Sequence, residues 1–536
     1  MEKAKQITTR LKELEEKRLN WESFWQDLMK YCIPRKAKVT DTRVPGSKLD
    51  STVYDSTAIT SSQILAAGLH GYLTNPASKW FSLATQDKSL MEDQDVKIYL
   101  KQAEDKIFDV LNSSNFSQQI FEIYHNSSVV GTAALYEEED EDDIVRFYSR
   151  PVEEIFVDED SRGKVNTVYR KFTLTAIQAY ERWGDDNSDA IKECIKNKKY
   201  GTQFSFIHAV EPREIRDVGK TDSKNFPFAS TYIDEKEEKV LSEKGYYEFP
   251  YFVVRFNKLS DEVYGYSPAM TVYSDIRMLN RMSKTIIRSA QKIVDPPLIL
   301  PHEGFLLPIR TQPSAINYRT SGTSDDKIEP LQTGANIPLG LEMEEQRRQV
   351  IKQAFFVDLF LMLQQQKQMT ATEVIEKVEE RMLVLGPILG RLMSELLDPI
   401  IVRTFNILVR KGHLPPPPPA LANKTYVVEY VSKLAKAQKV SELKSITNTL
   451  QLTAEMARFK PEALDLINES EAVRAIADIN GTNPKIINSP EVVAQIRKQR
   501  AEQQAQMAQM QALEQGANIA KTGTEAEKNL KEANRG

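Results

Sequence analysis

Arg277, Arg281, Lys284, Arg288 and Lys292 recur at steps of four, three, four and four residues, which sets five cations along one face of a helix. Such a stripe can stay solvated, pair with acids of an adjacent subunit, or meet the phosphates of a nucleic acid. Residues for covalent or metal chemistry are less favourably placed. The five histidines (His70, His125, His208, His302 and His413) are scattered, and none has H-E-x-x-H or another ligand spacing. There is no G-x-x-x-x-G-K-[ST] phosphate loop, no G-x-G-x-x-G turn and no G-x-S-x-G nucleophile elbow. Cys32 and Cys194 are the two cysteines, and they form no C-x-x-C. We therefore expect no catalytic residue, no cofactor and no metal site, and a protein that is not an enzyme. Without a phosphate loop, energy for any motor step must come from a partner.

Two further segments carry chemistry of a softer kind. Gln364, Gln365, Gln366, Lys367 and Gln368 are polar with one charge, and Phe355, Phe356, Phe360 and Leu361 precede them. Glutamine amides exchange hydrogen bonds without the salt-dependent grip of many cations, which suits a surface past which DNA slides. A plain helix connection reads the same way. Glu137–Asp143 is a run of seven carboxylates, whose self-repulsion favours an exposed, solvated turn over a cation site.

The formal charge is -5, from 71 Lys+Arg against 76 Asp+Glu, so the basic excess of a dedicated nucleic-acid clamp is missing. Paired with the sparse cysteines, the charged opening Met1-Glu-Lys-Ala-Lys-Gln points to synthesis in a reducing cytoplasm. No run of about 18 apolar residues exists, so no membrane span is expected. At 536 residues the chain exceeds the roughly 250–300 that one core serves, so several substructures are expected.

The elements that must position these residues follow from pattern. A helix is expected over 3–31, with Leu11, Leu14, Leu19, Phe24, Leu28 and Tyr31 on its apolar side. Further helices are expected over 57–74, 93–112 and 116–134. Short β-rich segments follow at 144–148, 154–157, 167–172, 206–210, 230–233 and 251–256. The class is α+β, mainly helical with a small mixed β region. Ser267-Pro268 opens the helix that carries the basic stripe, running to Val294. A Pro- and Gly-rich stretch occupies 295–340, and a second helix covers 341–363. Thr370 and Glu373 have capping-box spacing, and the helix they start runs to Lys411 with Gly412 as its stop. It would be about 60 Å long if straight, with kinks at Pro387 and Pro399. Five prolines at 415–419 mark a subdomain boundary. Beyond them we expect a strand over 425–431, several helices ending with one over 490–513, and a disordered tail after Gln515.

Four stretches in chain order resemble the portal (head-to-tail connector) proteins of short-tailed double-stranded DNA bacteriophages. They are DSTAITSSQILAAGLHGYLTNPASKWFSL (55–83), NFSQQIFEIYHNSSVVGTAALYEEED (115–140), NKLSDEVYGYSPAMTVYSDIRMLNRM (257–282) and MTATEVIEKVEERM (369–382). The resemblance spans about residues 20–412 and fades after the proline run. It implies a portal fold: a wing of 1–265 plus the long helix 371–412, stem helices at 266–294 and 341–358, a clip at 295–340, a channel loop at 359–370, and a crown at 413–515. It also implies a dodecameric ring at one capsid vertex, built with major capsid and scaffolding proteins. Double-stranded DNA would enter and leave through the ring, with terminase and then adaptor or tail proteins docked on the clip. The stripe residues and Gln364–Gln368 are then candidates for the DNA channel, and Pro301, Pro308, Arg310 and Arg319 for docking. The other reading is an oligomeric virion scaffold or adaptor that does not conduct DNA.

Overall fold

A computed structural model describes residues 2–41, 46, 53–220, 222–299, 329–330, 337–361, 385–421, 426–430, 433–479, 482, 486–488 and 492–510. The chain divides into two compact units, one of residues 1–81 and 105–415, the other of 82–104 and 416–536. The division at Pro415 falls within the proline run.

In the first unit, helix α1 (Glu2–Cys32) and α2 (Thr57–Leu73) match the expected bounds. Strand β1 (Phe81–Thr85), from Ser82 on, and the first half of helix α3 (Gln94–Ser113) belong to the second unit; the chain returns to the first at Asp105, and α4 (Phe116–Val130) leads into β2 (Thr132–Glu139) and β3 (Val145–Arg150). Next come β4 (Ile155–Glu159), β5 (Val165–Thr175), α5 (Ala176–Trp183), α6 (Asp189–Lys196), β6 (Gln203–Pro212), β7 (Phe228–Asp234), β8 (Lys239–Tyr246) and β9 (Tyr251–Arg255). Strands β4 to β8 form one antiparallel sheet in chain order, and β3-β2-β9 form a second.

The five-stranded sheet is covered on both faces, and alternation in its strands assigns each side chain to one cover. Phe156, Tyr169, Ile207 and Ile233 meet Ala4, Ile7, Leu11 and Leu14 of α1, while Phe172, Phe206 and Leu241 meet Ala179, Trp183 and Ile191 of α5 and α6. Leu19 does not continue the α1 stripe and is 66% exposed. Arg18 takes the buried place, donating to the carbonyls of Val152, Glu153 and Ile155 with its guanidinium 3.7 Å over the Phe156 ring. Trp25, Leu28 and Met29 then resume the buried side.

The expected helix over 116–134 ends at Val130 because Gly131 sits in left-handed backbone at φ 84°. A Cβ on Gly131 would lie 2.1 Å from the Gly265 carbonyl oxygen, and one on Gly265 would lie 2.5 Å from the Gly131 oxygen. Only glycines permit that crossing. Ser267 seals it by donating to the Val129 carbonyl at 2.7 Å, and the Gly265 N–H donates to Thr132 at 2.8 Å.

Past this junction lie α7 (Pro268–Thr271), α8 (Tyr273–Val294), a two-residue strand pair β10 (Leu298–Ile299) with β11 (Glu329–Pro330), then α9 (Ile337–Ala354) and α10 (Val357–Leu361). The stripe helix is thus interrupted at Val272, and the second helix starts at Ile337 and breaks at Phe356, whose φ is 55°. The long helix is described from residue 385 as α11 (Gly386–Leu392), a π-turn (Met393–Leu397) and α12 (Asp398–Arg410). Pro387 lies in the first turn of α11, while Pro399 follows directly on the π-turn, which is the irregularity of this helix. The end at Gly412 is a Schellman closure: His413 N–H donates to Leu408 O and Gly412 N–H to Val409 O. In the second unit, β12 (Tyr426–Tyr430) pairs with β1, and α13 (Lys433–Ala457), α14 (Glu469–Ile479) and a helix over 492–510, α15, follow.

Candidate functional site

The α8–α9 hairpin holds the basic stripe, and its root is fixed from the sequence upward. Ser267 caps α7, accepting from the Met270 N–H at 3.1 Å, and Pro268 follows at the first helical position. α8 then buries Ile276, Leu279, Asn280 and Ser283, all in its proximal half. Ser283 donates to Glu344 of α9 at 2.7 Å, Arg347 pairs with Asp275 at 2.8 Å, and Arg348 bridges Glu344 and Asp55. Burial raises the Asp55 carboxyl, but its hydrogen bonds from Thr57 and Arg348 outweigh this and hold it below the ordinary value. Asn280 accepts from the Tyr54 N–H at 2.6 Å. These bonds set register.

From Lys284 to Asp295 no described residue of α8 is fully buried, and on α9 none before Glu344 is. The distal half of the hairpin is therefore open. At about 100° per residue the five stripe cations fall within an arc of about 80°. Their environments differ. Arg277 is half-buried, with its guanidinium 5.3 Å over the Tyr273 ring and a 3.3 Å bond to the Tyr273 hydroxyl. Lys284 places its ammonium 5.2 Å from the Tyr54 ring. Arg281, Arg288 and Lys292 are exposed and have no side-chain partner among the described residues. Arg277 and Arg281 rim a groove of about 620 Å³ whose walls include Met278, Met282, Ile286 and Met343. Of the apolar positions of α8, Ile276 and Leu279 are buried; Met282 and Ile286 wall the groove, and Ile293 is exposed.

Gln364, Gln365, Gln366, Lys367 and Gln368 lie outside the described residues, as do Pro301, Pro308, Arg310 and Arg319. The segment leading to the glutamines is described. Phe355 and Val357 are buried on either side of left-handed Phe356, and the Phe360 ring sits where a Cβ on Gly68 would be, 2.4 Å from its nearest atom.

Ionic centres that the sequence pattern does not reveal sit in the body of the first unit. Arg255, 2% exposed, donates to Glu395 on the π-turn and to Glu159 at 2.7 Å each, while Lys258 also meets Glu159 at 2.7 Å. The acidic run divides at its first residue. Glu137 lies on β2, fully buried; Thr404 donates to it at 3.0 Å and the Arg403 Nε is 3.6 Å away. Burial pushes its carboxyl up to about 8 against the pull of Arg403 and Thr404. The solvated turn expected for the whole run holds only for its end, where Asp140 accepts from the backbone N–H groups of Asp142 and Asp143. The only signal in the sequence was the β-alternation of Ala133, Leu135 and Glu137, which the run of acids masked. Among the described residues no three His, Cys, Asp or Glu converge as metal ligands, and no described helix is long and apolar enough to cross a membrane.

A two-helix hairpin on an α+β body, joined through Gly131 and Gly265, is the arrangement to which the motifs at 115–140 and 257–282 contribute, while the motif at 369–382 lies outside the described residues. The chain belongs to the family of bacteriophage head-to-tail connecting proteins, whose model matches residues 4–487. It is 34% identical to the portal protein of Salmonella phage epsilon15 over 95% of this chain and 93% of that one. It is 33% identical to a probable portal protein of Bordetella phage BPP-1, over 96% and 94% respectively. A chain of a structure titled "Virion of native gene transfer agent (GTA) particle" matches at 11% identity with a TM-score of 0.35, covering 81% of this chain and 94% of that one. The family fixes the role as a portal, the connector between head and tail of a phage particle.

Proposed function

We propose that twelve copies close into a ring at one capsid vertex, and that double-stranded DNA is packaged and ejected through its bore. The observation that carries this is the open distal half of the α8–α9 hairpin, where Arg288 and Lys292 stand exposed beyond the groove. Few free cations per copy on a chain of net charge -5 give a surface that neutralises phosphates lightly, as a sliding polymer requires. Gln364, Gln365, Gln366, Lys367 and Gln368 extend that surface as amide donors and acceptors with one charge. Arg277 and Lys284 hold their cations against tyrosine rings at the hairpin root and support the stripe. Pro301, Pro308, Arg310 and Arg319 belong to the stiff clip on which terminase docks during packaging and adaptor or tail proteins afterwards. Capsid and scaffolding proteins surround the wing. The copies are made in the host cytoplasm and end in the virion.

Electron microscopy of the purified full chain tests the ring: particles with an open bore wide enough for a duplex are expected, and a solid particle would sink the reading in favour of a non-conducting scaffold. Replacing Arg288 and Lys292 with alanine tests the bore. Rings should persist while packaged DNA per head falls several-fold. Unchanged packaging would remove these two residues from the DNA path.

A further inference from the structure

We infer that the groove between α8 and α9 seats the outer face of α9 from a second copy of this chain, with Arg277 and Arg281 taking the carboxylates of Glu342 and Glu345. This rests on the ring reading above and names the contact that closes it. Three observations lead here. The groove is open and apolar at its mouth, with Met278 46% and Met343 44% exposed. Exposed apolar walls of this kind mark a contact surface.

The second observation is where the acids lie. Gly340 of α9 faces the groove, in contact range of Ile286. At about 100° per residue, Glu342 and Glu345 lie about 200° and 140° round the helix from Gly340. They are exposed on the side turned away from their own groove, so their own Arg277 and Arg281 are out of reach. Glu342 has no side-chain partner among the described residues. Glu345 takes a 2.8 Å bond from Gln349, which together with Lys352 at 3.9 Å and Arg348 at 3.5 Å holds its carboxyl below the ordinary value. Leu339 and Leu341, about half exposed, flank these acids and supply the apolar part of the contact.

The third observation is the sign of each surface. A two-fold contact of groove on groove would set Arg277 and Arg281 against themselves, and acid face on acid face would repel equally. Groove on acid face satisfies both. Such a contact is heterologous, the type that generates a ring when its rotation closes. A nucleic acid in the groove would meet methionine and isoleucine walls and leave Glu342 unmatched.

Charge exchange on the full-length chain tests this, read by mass-resolved light scattering at fixed salt. R281E is expected to weaken assembly at least tenfold, and E342R/E345R to do the same. Combining R277E/R281E with E342R/E345R should restore the wild-type assembly. R281E and E342R/E345R should keep the circular dichroism and melting temperature of the single chain, because Arg281, Glu342 and Glu345 are exposed and the Arg277–Tyr273 contact is left in place. Assembly that survives R281E and E342R/E345R unchanged overturns the seat and leaves the ring standing. So does a combined variant that folds but stays dissociated, or intact rings that lose only packaging, which would assign the groove to DNA. A wild-type chain that never assembles would instead fail the ring reading itself.

Discussion

In the body of the first unit Arg18, Arg255 and Arg403 are buried, and carbonyls or carboxylates meet each of them. Along α8, Arg281, Arg288 and Lys292 are exposed with no such partner among the described residues. Apolar residues divide the same way. The sheet faces are covered by α1 on one side and by α5 and α6 on the other, while Met278, Ile293, Val294, Leu339 and Leu341 stand open on the hairpin. A buried cation costs several kcal/mol unless it is paired, so its partners become fixed points of the fold. An exposed one costs little and stays available. The body and the hairpin root therefore use charge to lock elements together, whereas the distal half of the hairpin leaves its charge exposed.

The largest effect that would break this contrast is at Arg255. Arg255→Ala removes the cation that Glu395 and Glu159 share and leaves Glu395 without its main partner, as Lys258 reaches only Glu159. Breaking a buried pair from one side costs about 3–5 kcal/mol, and the partial exposure of both acids places this near the lower end. Urea unfolding should show it. A loss under about 1 kcal/mol would mean that the network is not a fixed point.

Next is the glycine crossing. Gly131→Ala forces a side chain into left-handed backbone and onto the Gly265 carbonyl, a cost of about 2–3 kcal/mol in strain and displacement. Gly71→Ala, in α2 with nothing within 4 Å of its added Cβ, should be neutral or stabilise by up to about 1 kcal/mol. Equal effects in a melting experiment would refute the crossing.

A smaller effect appears on acidification. Burial, helped by Lys36, pushes His125 down to about 4, and Ser62 lies 3.2 Å from its ring. The unfolded chain takes up a proton near the ordinary value of about 6.5, and the folded chain resists until about 4. The stability that neutral His125 contributes is full above about pH 6.5 and is lost as pH falls toward 4. At pH 5.5 the loss is about 1 kcal/mol. His125→Gln should flatten that part of the stability curve; an identical slope in the variant would remove His125 as its source.

Much of this architecture was legible because period and punctuation agreed. The spacing of Leu11 and Leu14, the short β-rich run at 206–210 and the stop at Gly412 each point to the element that forms. What stayed hidden depends on partners distant in sequence. Leu19 loses its place to Arg18 because three carbonyls some 135 residues away need a donor. Glu137 is buried because Thr404 and Arg403 approach β2 from a helix more than 260 residues on. The break at Phe356 follows from Phe355 and Val357 both being drawn inward, which no helical period reconciles. At the site itself, spacing gave the stripe, but only the fold separates Arg277 and Lys284, held against tyrosines, from the open Arg281, Arg288 and Lys292.

The smallest effect sharpens the comparison from the hairpin's side. Ile276 and Ile293 lie on the same helix, the first buried and the second 52% exposed beside Val294 at 86%. Truncating exposed residues away from any packing feature changes stability by about 0.5 kcal/mol or less. Ile293→Ala and Val294→Ala should therefore leave the unfolding of the single chain within that margin, although both residues are as apolar as any in the core. If either costs more than about 1 kcal/mol in the dissociated chain, the distal half of α8 is held by its own subunit. If the cost appears only on assembly, those side chains are covered by another copy, and the apolar residues follow the same division between body and hairpin as the charges.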